Sequence, residues 1–570
     1  MSGADATASG PIRLTNVTVA EVYLRLLKLR GIDYFFANAG TDFTPLIEAF
    51  AKGEAEGIPM PKPITAPHEN IAVAMGMGYT LASGRPQAVM VHVNVGTANA
   101  LCGVMNASRL QVPMLFSAGR TPVLEEGAKG SRMGFVHWPQ EMRDQAGMVR
   151  EVVRWDYELR DPRQVVDVVD RALAMCQSTP AGPIYLTLPR EVLASTIDEV
   201  LLPPVTRLVP ATAGLADASA LSRVVDWLSE AERPLIITSM TGRTKRAKEA
   251  LEDFCATWAI PVVAFNPRFV EVSADHPMNV GGSLSPWLEE ADLVLVSETV
   301  APWVPNLQKP PSDAKVVQIG PDPLSRDLPM RSFPSDATLQ GDTSAILTAL
   351  IAAAPAGEGW EARRARVAAG KPKKLPTPAF TGKDAGIVIT PAQITAAVAK
   401  VCKGSVILRE GPLNYDGLEL TESGSFFFAG AAGGLGWSLG TALGISLANG
   451  HAPVVVGVGD GSYMFGTPLA AHFVAAEQGI PLLTLVLNNQ GWHAVRRATR
   501  GMYKDGYAAA AQPEPLTDFG PDMAYEKMMD VVGGFGQRVE RPEDLCPALE
   551  TAMAELAKGR QALLNILCTT

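Results

Sequence analysis

Two clusters of small polar residues follow two strongly apolar runs in the last quarter of the chain. The runs span 454–458 and 482–487, each about as long as a buried strand, and residues 467–478 between them have helical composition. This pattern predicts a β-α-β unit whose two strands are parallel. Because their carboxyl ends open on the same sheet edge, we expect the two polar clusters to lie side by side.

The two clusters offer oxygen ligands and a flexible backbone. Asp460 contributes a carboxylate, and the second cluster, residues 488–491, adds an asparagine amide oxygen and a main-chain carbonyl. Such oxygens suit Mg²⁺, which completes its octahedron with phosphate oxygens and water. The flanking glycines let a ligand approach the main chain closely, so the pattern predicts a bound diphosphate. The alternative is that both clusters are ordinary turns, since Gly, Asp and Asn dominate turns.

The remainder of the chain predicts an α/β protein with three open parallel-sheet domains. A length of 570 residues exceeds a single core, and apolar strands alternate with helical segments in three blocks. We expect domains at 12–195, 205–350 and 389–570, with a linker at 351–388 that is rich in Ala, Pro, Gly, Lys and Arg.

Charge and cysteine usage limit the expected partners. The net charge is −10 and there are no Lys/Arg blocks, which argues against nucleic acid or a membrane surface as partner. Six scattered cysteines without metal spacing indicate buried thiols in a reducing compartment. Residues 1–11 have no apolar core, so a cytoplasmic protein is expected.

The GDG and NN clusters together resemble the signature of thiamine diphosphate enzymes. The resemblance implies a pyruvate decarboxylase-like fold with pyrimidine-binding, central and diphosphate-binding domains in that order. It also implies Mg²⁺ bound by Asp460, Asn489 and the main chain of Gly491. The further cofactor contacts that it implies are Gly459, Gly461, Ser462, Gly434 and Leu435, the last as an aliphatic wedge beneath the bent cofactor.

Glu69 stands at a predicted strand-to-helix junction before an Ala- and Gly-rich helix. In the family, a glutamate hydrogen-bonded to the aminopyrimidine ring promotes deprotonation of the thiazolium carbon, and the resemblance gives Glu69 that role. Burial would hold such a carboxyl group partly protonated. The alternative is an acid at a helix N-terminus, favoured there by the helix dipole.

The substrate end of the predicted site is similar to two subfamilies. Segments around His92 and Leu435 resemble benzoylformate decarboxylase, with Thr41 at the position of its active-site serine. The whole chain also resembles acetolactate synthase large subunits, with Gln140 as the pocket glutamine. A second active-site histidine of benzoylformate decarboxylase has no counterpart in 301–305. His493, just after the metal loop, is either a pocket residue or a surface helix residue.

The resemblance implies decarboxylation of a 2-oxo acid and transfer of the resulting enamine to a second carbonyl, as in acetolactate synthase. One alternative is an aldehyde-releasing decarboxylase like benzoylformate decarboxylase, and another is a non-catalytic cofactor-binding subunit. A homodimer or homotetramer is expected, with Glu69 and Asp460 of different subunits meeting at each active site. FAD in the central domain is left open and no motif supports it.

Overall fold

The computed structural model describes residues 10–355, 359–371 and 389–569. Within these ranges the strands form three parallel sheets, of six, five and six strands, and one two-stranded antiparallel ribbon. Helices cover the sheets, and the buried residues between them are mainly aliphatic. The predicted α/β class with three parallel-sheet domains is confirmed.

The first sheet organises the N-terminal part of the chain. Its strands, in spatial order, are Lys62–Thr65, Tyr34–Ala37, Ala88–Val91, Met114–Arg120, Pro183–Pro189 and Asp156–Glu158. Its helices are Val19–Leu29, Thr44–Glu56, Glu69–Ser83, Val93–Arg109, Val165–Gln177 and Arg190–Ala194. Thr18 starts the first helix as a capping box with Glu21, which satisfies two backbone donors at that end.

An antiparallel ribbon beside this sheet was not predicted. Ile12–Thr18 pairs with Thr196–Leu202, with Ile12 opposite Leu202. Only Leu14 and Val17 of the first strand are buried, so the segment lacks the continuous apolar run of the other strands. Its pairing depends on a partner about 180 residues away, which no local pattern encodes.

The second sheet lies in the central part of the chain. Its strands, in spatial order, are Val262–Ala264, Pro234–Thr238, Leu293–Ser297, Lys315–Gly320 and Ala337–Gln340. Its helices are Ala218–Glu230, Lys245–Trp258, Thr343–Ala352 and Glu361–Gly370. The last of these falls inside the predicted linker 351–388, and it packs on this core through Arg363, which donates to the carbonyl of Trp258. Residues 372–388 of that linker lie outside the described ranges, and the domain boundaries stay a prediction.

The third sheet carries the two polar clusters. Its strands, in spatial order, are Phe426–Phe427, Val406–Glu410, Val454–Gly459, Leu482–Asn488, Ala562–Leu567 and Phe535–Val539. Its helices are Pro391–Val401, Ser438–Ala448, Asp460–Phe465, Pro468–Glu477, His493–Met502, Tyr507–Ala510, Met528–Val532 and Leu545–Ala557. Val454 pairs with Leu482 in parallel, as the β-α-β prediction requires. Two helices connect these strands, because the first cluster starts a short helix at Asp460.

Two glycine-rich helices join the first and third domains within one chain. The Glu69 helix (Glu69–Ser83) crosses the Ser438 helix (Ser438–Ala448) so closely that a Cβ atom at Gly78 would lie 2.0 Å from the carbonyl oxygen of Thr441. A Cβ atom at Gly444 would lie 2.0 Å from the carbonyl oxygen of Met75. The small residues therefore let the two backbones touch, and the start of each helix lies near the start of the other.

In the described ranges, no helix combines the length and the apolar character needed to cross a bilayer.

Candidate active site

The two polar clusters meet at the carboxyl edge of the third sheet. Asp460 is buried, and its carboxylate accepts hydrogen bonds from the N–H of Gly461 at 2.8 Å and of Gly491 at 3.2 Å. Burial raises the pKa of the Asp460 carboxyl group, against the opposing effect of these backbone donors. The structure therefore places Asp460 and the second cluster in direct contact, as the sequence predicted.

Asn489 presents an oxygen atom that has no partner in the described part of the chain. Its Oδ1 is buried and accepts no hydrogen bond. The neighbouring Asn488 has partners at both ends of its amide: its nitrogen donates to Asn565 at 3.1 Å, and its Oδ1 accepts from the N–H of Gln490. A buried acceptor without a donor is costly unless a cation or water satisfies it. Of the two asparagines, Asn489 is the one whose buried oxygen has no hydrogen-bond partner in the described ranges.

The residues of this edge fit a magnesium-bound diphosphate. The carbonyl of Gly491 accepts one hydrogen bond, from the N–H of His493 at 3.0 Å, which leaves its second lone pair free. No group of three His, Cys, Asp or Glu side chains suitable for a metal occurs in the described ranges. Asp460 is thus the one carboxylate that the described residues offer to a metal at this edge. Mg²⁺ held by one carboxylate normally takes phosphate oxygens as further ligands.

The glycines of the first cluster have different surroundings. A Cβ atom at Gly459 would meet nothing within 4 Å, whereas one at Gly461 would lie 2.5 Å from the ring of Trp492. Gly461 is therefore required for packing, while the open space is at Gly459. Ser462 is half-buried on the short helix that Asp460 begins.

The predicted wedge, Leu435, is half-buried in a loop that two other parts of the chain hold in place. Asn106 of the first domain donates to the carbonyl of Gly434 at 2.9 Å and accepts from the N–H groups of Ala432 and Gly434. Gly436 has φ +75°, and a Cβ atom there would lie 2.4 Å from Gly466. This is a backbone conformation and a spacing that only glycine tolerates.

Glu410 fixes the same loop from the third sheet. Its half-buried carboxylate accepts from the N–H of Gly436 at 2.5 Å and of Ser438 at 2.9 Å, so it covers the N-terminus of the Ser438 helix. Burial raises the pKa of Glu410 to about 7. Sequence reasoning missed Glu410 and Asn106, because each acts on a loop that is distant in the sequence.

Glu69 is the first residue of its helix and is only 7% exposed. Its Oε2 accepts from the amide of Asn99 at 3.2 Å and lies 3.9 Å from Nδ1 of His68. The next residue, Asn70, donates to the carbonyl of Gly436 at 3.1 Å. The start of the Glu69 helix therefore adjoins the Leu435 loop of the same chain, and the helix-N-terminal position and the catalytic role stay compatible.

His92 lies between Asp42 and Gln140. Its Nδ1 is 2.5 Å from Oδ1 of Asp42, and its Nε2 is 3.3 Å from Nε2 of Gln140. The hydrogen bond with Asp42 raises the pKa of His92 above its ordinary value, against the opposing effect of burial. Thr41, the residue before Asp42, has an exposed side chain. The structure thus brings His92 and Gln140 together and adds Asp42, which the sequence reasoning did not select.

His493 follows the second cluster as the first residue of the helix His493–Met502. Its ring is half-buried, and its Nδ1 is buried with no partner in the described part of the chain. Burial and the nearby guanidinium groups of Arg497 and Arg496 lower the pKa of His493. The ring is therefore neither a plain surface group nor a satisfied core histidine.

Family profiles match all three domains. The descriptions are thiamine pyrophosphate enzyme N-terminal TPP binding domain over residues 17–148, central domain over 221–350 and C-terminal TPP binding domain over 414–566. The chain therefore belongs to the thiamine pyrophosphate enzymes, which confirms the family and the cofactor class predicted from its motifs. It is a thiamine pyrophosphate-dependent enzyme of this α/β fold.

The similar proteins differ in their reactions. The chain is 25% identical to benzoylformate decarboxylase of Pseudomonas aeruginosa, over 84% of this chain and 87% of that protein. It is 26% identical to a probable acetolactate synthase of Mycobacterium bovis, over 95% of this chain and 94% of that protein. The crystal structure of benzoylformate decarboxylase from Polynucleobacter necessarius superposes with TM-score 0.80 at 21% identity, covering 97% of this chain and 98% of that one. At this identity the superposition speaks for the fold alone.

Proposed function

We propose that the chain is a thiamine diphosphate- and Mg²⁺-dependent enzyme that decarboxylates a 2-oxo acid and transfers the remaining fragment to a second carbonyl. The observation that carries the proposal is the buried Oδ1 of Asn489, which has no partner in the described ranges and belongs to the same cluster as Gly491, whose N–H binds the Asp460 carboxylate. When bound, thiamine diphosphate would supply a carbon nucleophile for the keto group and an electron sink for the decarboxylation.

Different residues of the chain bind the metal, the diphosphate and the aminopyrimidine ring. Asp460, Asn489 and the carbonyl of Gly491 hold the metal. Backbone groups at the open side of Gly459, with Gly461 and Ser462, receive the diphosphate, whose charge suits the start of the short helix. At the other end the buried carboxyl group of Glu69 would form a hydrogen bond with the aminopyrimidine ring. Gly434 and Leu435 lie on the loop that shapes the cofactor.

His92, Thr41 and Gln140 form the substrate end of the proposed site. His92 has Nδ1 engaged with Asp42, which leaves Nε2 to donate or receive a proton near Gln140. In its charged form His92 would attract the carboxylate of a 2-oxo acid. The exposed hydroxyl of Thr41 is available for a hydrogen bond to the substrate.

One structural feature favours transfer to a second carbonyl over release of an aldehyde. The segment 301–305 contains no histidine, and its Trp303 is buried with its ring 5.2 Å from that of Phe333. A packed tryptophan supplies no proton, so among the proposed site residues the proton that aldehyde release requires would have to come from His92. Release of an aldehyde, as the name of benzoylformate decarboxylase implies for that relative, is the second candidate.

Cofactor binding tests the first half of the proposal. Thiamine diphosphate should bind the purified chain with Mg²⁺ in a calorimetric titration, and Asp460→Asn should weaken that binding about 10²-fold, as loss of one charged ligand does. Asp544→Asn, in a carboxylate paired with Arg541 on the surface, is the matched control and should bind as the parent does. Equal binding by Asp460→Asn and the parent would remove Asp460 from the metal site.

A panel of 2-oxo acids tests the second half. Carbon dioxide release should be followed for pyruvate and benzoylformate, with and without an added aldehyde or second 2-oxo acid, and products identified by mass. A hydroxyketone or hydroxy-oxo acid product supports transfer, whereas an aldehyde supports the second candidate. A cofactor-bound chain that releases no carbon dioxide from any member would support the non-catalytic subunit.

The central domain leaves the FAD alternative open. A cavity of about 420 Å³ lies between the domains, and the residues that line it include Met240, Arg268, Asp322 and Arg109. No sequence motif assigns it to a flavin. The visible absorbance spectrum of the purified protein would show a bound flavin directly.

A further inference from the structure

Asp42 is a buried carboxylate in contact with the His92 imidazole. It lies in the turn after the strand Tyr34–Ala37 and is 3% exposed. Both of its oxygens are engaged with the start of the helix Val93–Arg109: Oδ1 contacts Nδ1 of His92 at 2.5 Å, and Oδ2 accepts from the N–H of Val93 at 3.3 Å. The Asp42 carboxylate therefore forms hydrogen bonds with two successive residues, His92 and Val93.

The backbone of Val93, whose N–H donates to Asp42, is strained. Val93 has φ +37°, in the left-handed region that a β-branched residue rarely adopts. Such a conformation persists only where the surroundings determine it, and it is commonest at functional sites. The bond from the Val93 N–H to Asp42 is one such determinant, and it places the His92 ring at the end of its strand.

Gly40 and Gly119 allow the His92 imidazole and the Asp42 carboxylate to pack against the backbone. A Cβ atom at Gly40 would lie 2.1 Å from Nδ1 of His92, and one at Gly119 would lie 1.9 Å from Oδ2 of Asp42. Neither residue has a positive φ, so their small size serves the packing of the imidazole and the carboxylate. The fold thus reserves space on both sides of the contact.

We propose that Asp42 is a positioning residue for the reaction: it fixes the His92 imidazole with Nδ1–H directed to its carboxylate and Nε2 directed to the substrate end beside Gln140. This inference rests on the proposed function, since it concerns the same site. Asp42 touches no reacting atom and acts through His92. The arrangement is the general one in which a carboxylate sets the tautomer and orientation of a catalytic imidazole.

The electrostatic surroundings of His92 are defined by three titratable groups. Asp42 and Glu69 both favour its charged form, whereas His137 opposes charge when it is itself protonated. Asp42 is the only one of the three with a hydrogen bond to the His92 ring in the described ranges. Removing its charge should therefore move the His92 titration to lower pH.

The test compares Asp42→Asn with a matched control, Asp170→Asn. Asp170 is also a buried carboxylate of the first domain, paired with Arg30 at 2.6 Å and not in contact with the site residues named above. In protein labelled with ¹³C-histidine, His92→Ala assigns the His92 signal. The signal should titrate at lower pH in Asp42→Asn than in the parent, and Asp170→Asn should leave it unchanged. This readout uses the resting protein and needs no turnover.

Kinetics provide the second measurement. Asp42→Asn should lower kcat on the order of 10²-fold with a smaller change in KM, because general acid–base steps contribute about that factor. Added to His92→Ala, it should lower kcat by less than about twofold further, because two residues that act as one unit are not additive. An unshifted His92 titration, or a full further loss in the double variant, would overturn the proposal. If the parent turns over no 2-oxo acid, the proposed function fails while the titration still decides the role of Asp42.

Discussion

At the scale of single residues, Asn488 and Asn489 have different roles: Asn488 stabilises the fold through hydrogen bonds, whereas Asn489 has an oxygen available to bind a ligand. The two amides are adjacent, but only Asn488 has protein partners for its side chain. Both stand at the carboxyl end of one strand, of which Asn488 is the last residue, so their positions in the sequence do not separate their roles. The choice follows from Asn565, a residue of the neighbouring strand 77 positions away in the sequence.

The two asparagines should therefore respond differently to removal. Asn489→Ala should weaken Mg²⁺-dependent binding of thiamine diphosphate by about 10- to 100-fold, since it removes one ligand of a cation, and should leave thermal stability nearly unchanged. Asn488→Ala should lower the free energy of unfolding by about 1–3 kcal/mol, because Asn565 loses its buried partner. Calorimetric titration and thermal unfolding measure the two effects. If both variants lost cofactor affinity and stability to the same extent, Asn489 would not be a specific ligand and Asn488 would not be a specifically structural residue.

A buried carboxyl group in the central domain makes stability depend on pH. Glu271 is fully buried and accepts from Thr238 Oγ1 at 2.9 Å and from the N–H of Gly242 at 2.8 Å. Burial raises its pKa from 4.5 to about 7. The folded state then keeps its proton where the unfolded state has lost it, so this contribution to stability is full below pH 4.5 and is lost as the pH rises through about 7.

We therefore expect the melting temperature of the parent to fall between about pH 5 and pH 8, and Glu271→Gln to fall less over that range, since a neutral amide does not titrate. Scanning calorimetry across this range measures both slopes. Glu252→Gln is the control, because the pKa of Glu252 is lowered and its effect has the opposite sign. Equal slopes in Glu271→Gln and the parent would mean that Glu271 does not titrate in this interval.

At the scale of elements, the strongest local patterns were predictable. The apolar runs 454–458 and 482–487 were predicted as strands and lie in Val454–Gly459 and Leu482–Asn488, because each is a short apolar run before polar turn residues. Elements with weaker local patterns were missed, such as the ribbon formed by Ile12–Thr18 and the helix Asp460–Phe465. The Gly-Asp-Gly-Ser segment has turn composition, and only its position at the end of a strand makes it helical.

The crossing of the Glu69 and Ser438 helices gives an element-scale prediction. Gly78→Ala should destabilise the protein by about 1–3 kcal/mol, because the new methyl group would meet the rigid backbone at Thr441. Gly501→Ala is the control: Gly501 lies in a helix with nothing within 4 Å of a Cβ atom, so alanine should be neutral or stabilising by up to about 1 kcal/mol. Unfolding in urea measures both. Tolerance of Gly78→Ala would show that the two helices can separate at little cost.

At the scale of the whole molecule, the sequence predicted the three parallel sheets and their family but not the contacts among the domains. Asn106 bonds to Gly434, and Asn70 to Gly436, each across more than 300 residues. Such contacts carry no local pattern, and single asparagines occur throughout the chain. They place the Leu435 loop beside the Glu69 helix within one chain, and the origin of the Asp460 that serves the same cofactor is a separate question of subunit arrangement.

Exposed apolar side chains near the site bear on the question of whether a second chain contributes to it. Phe135 is 87% exposed and Met133 81%, in the loop that also carries Gln140. Exposed apolar side chains of this size commonly mark a contact with a partner. We predict that this partner is a second copy of the chain, and that one site takes Glu69 from one copy and Asp460 from the other.

Complementation between inactive variants tests this arrangement. Glu69→Gln and Asp460→Asn should each abolish most turnover. If one subunit's Glu69 serves the cofactor held by the other's Asp460, a mixed dimer has one site with both substitutions and one site with neither. Co-expression in equal amounts should then restore about a quarter of the parent activity, since half of the dimers are mixed and half of their sites are intact. If both residues of a site come from one chain, every site in every dimer carries a substitution and co-expression restores nothing.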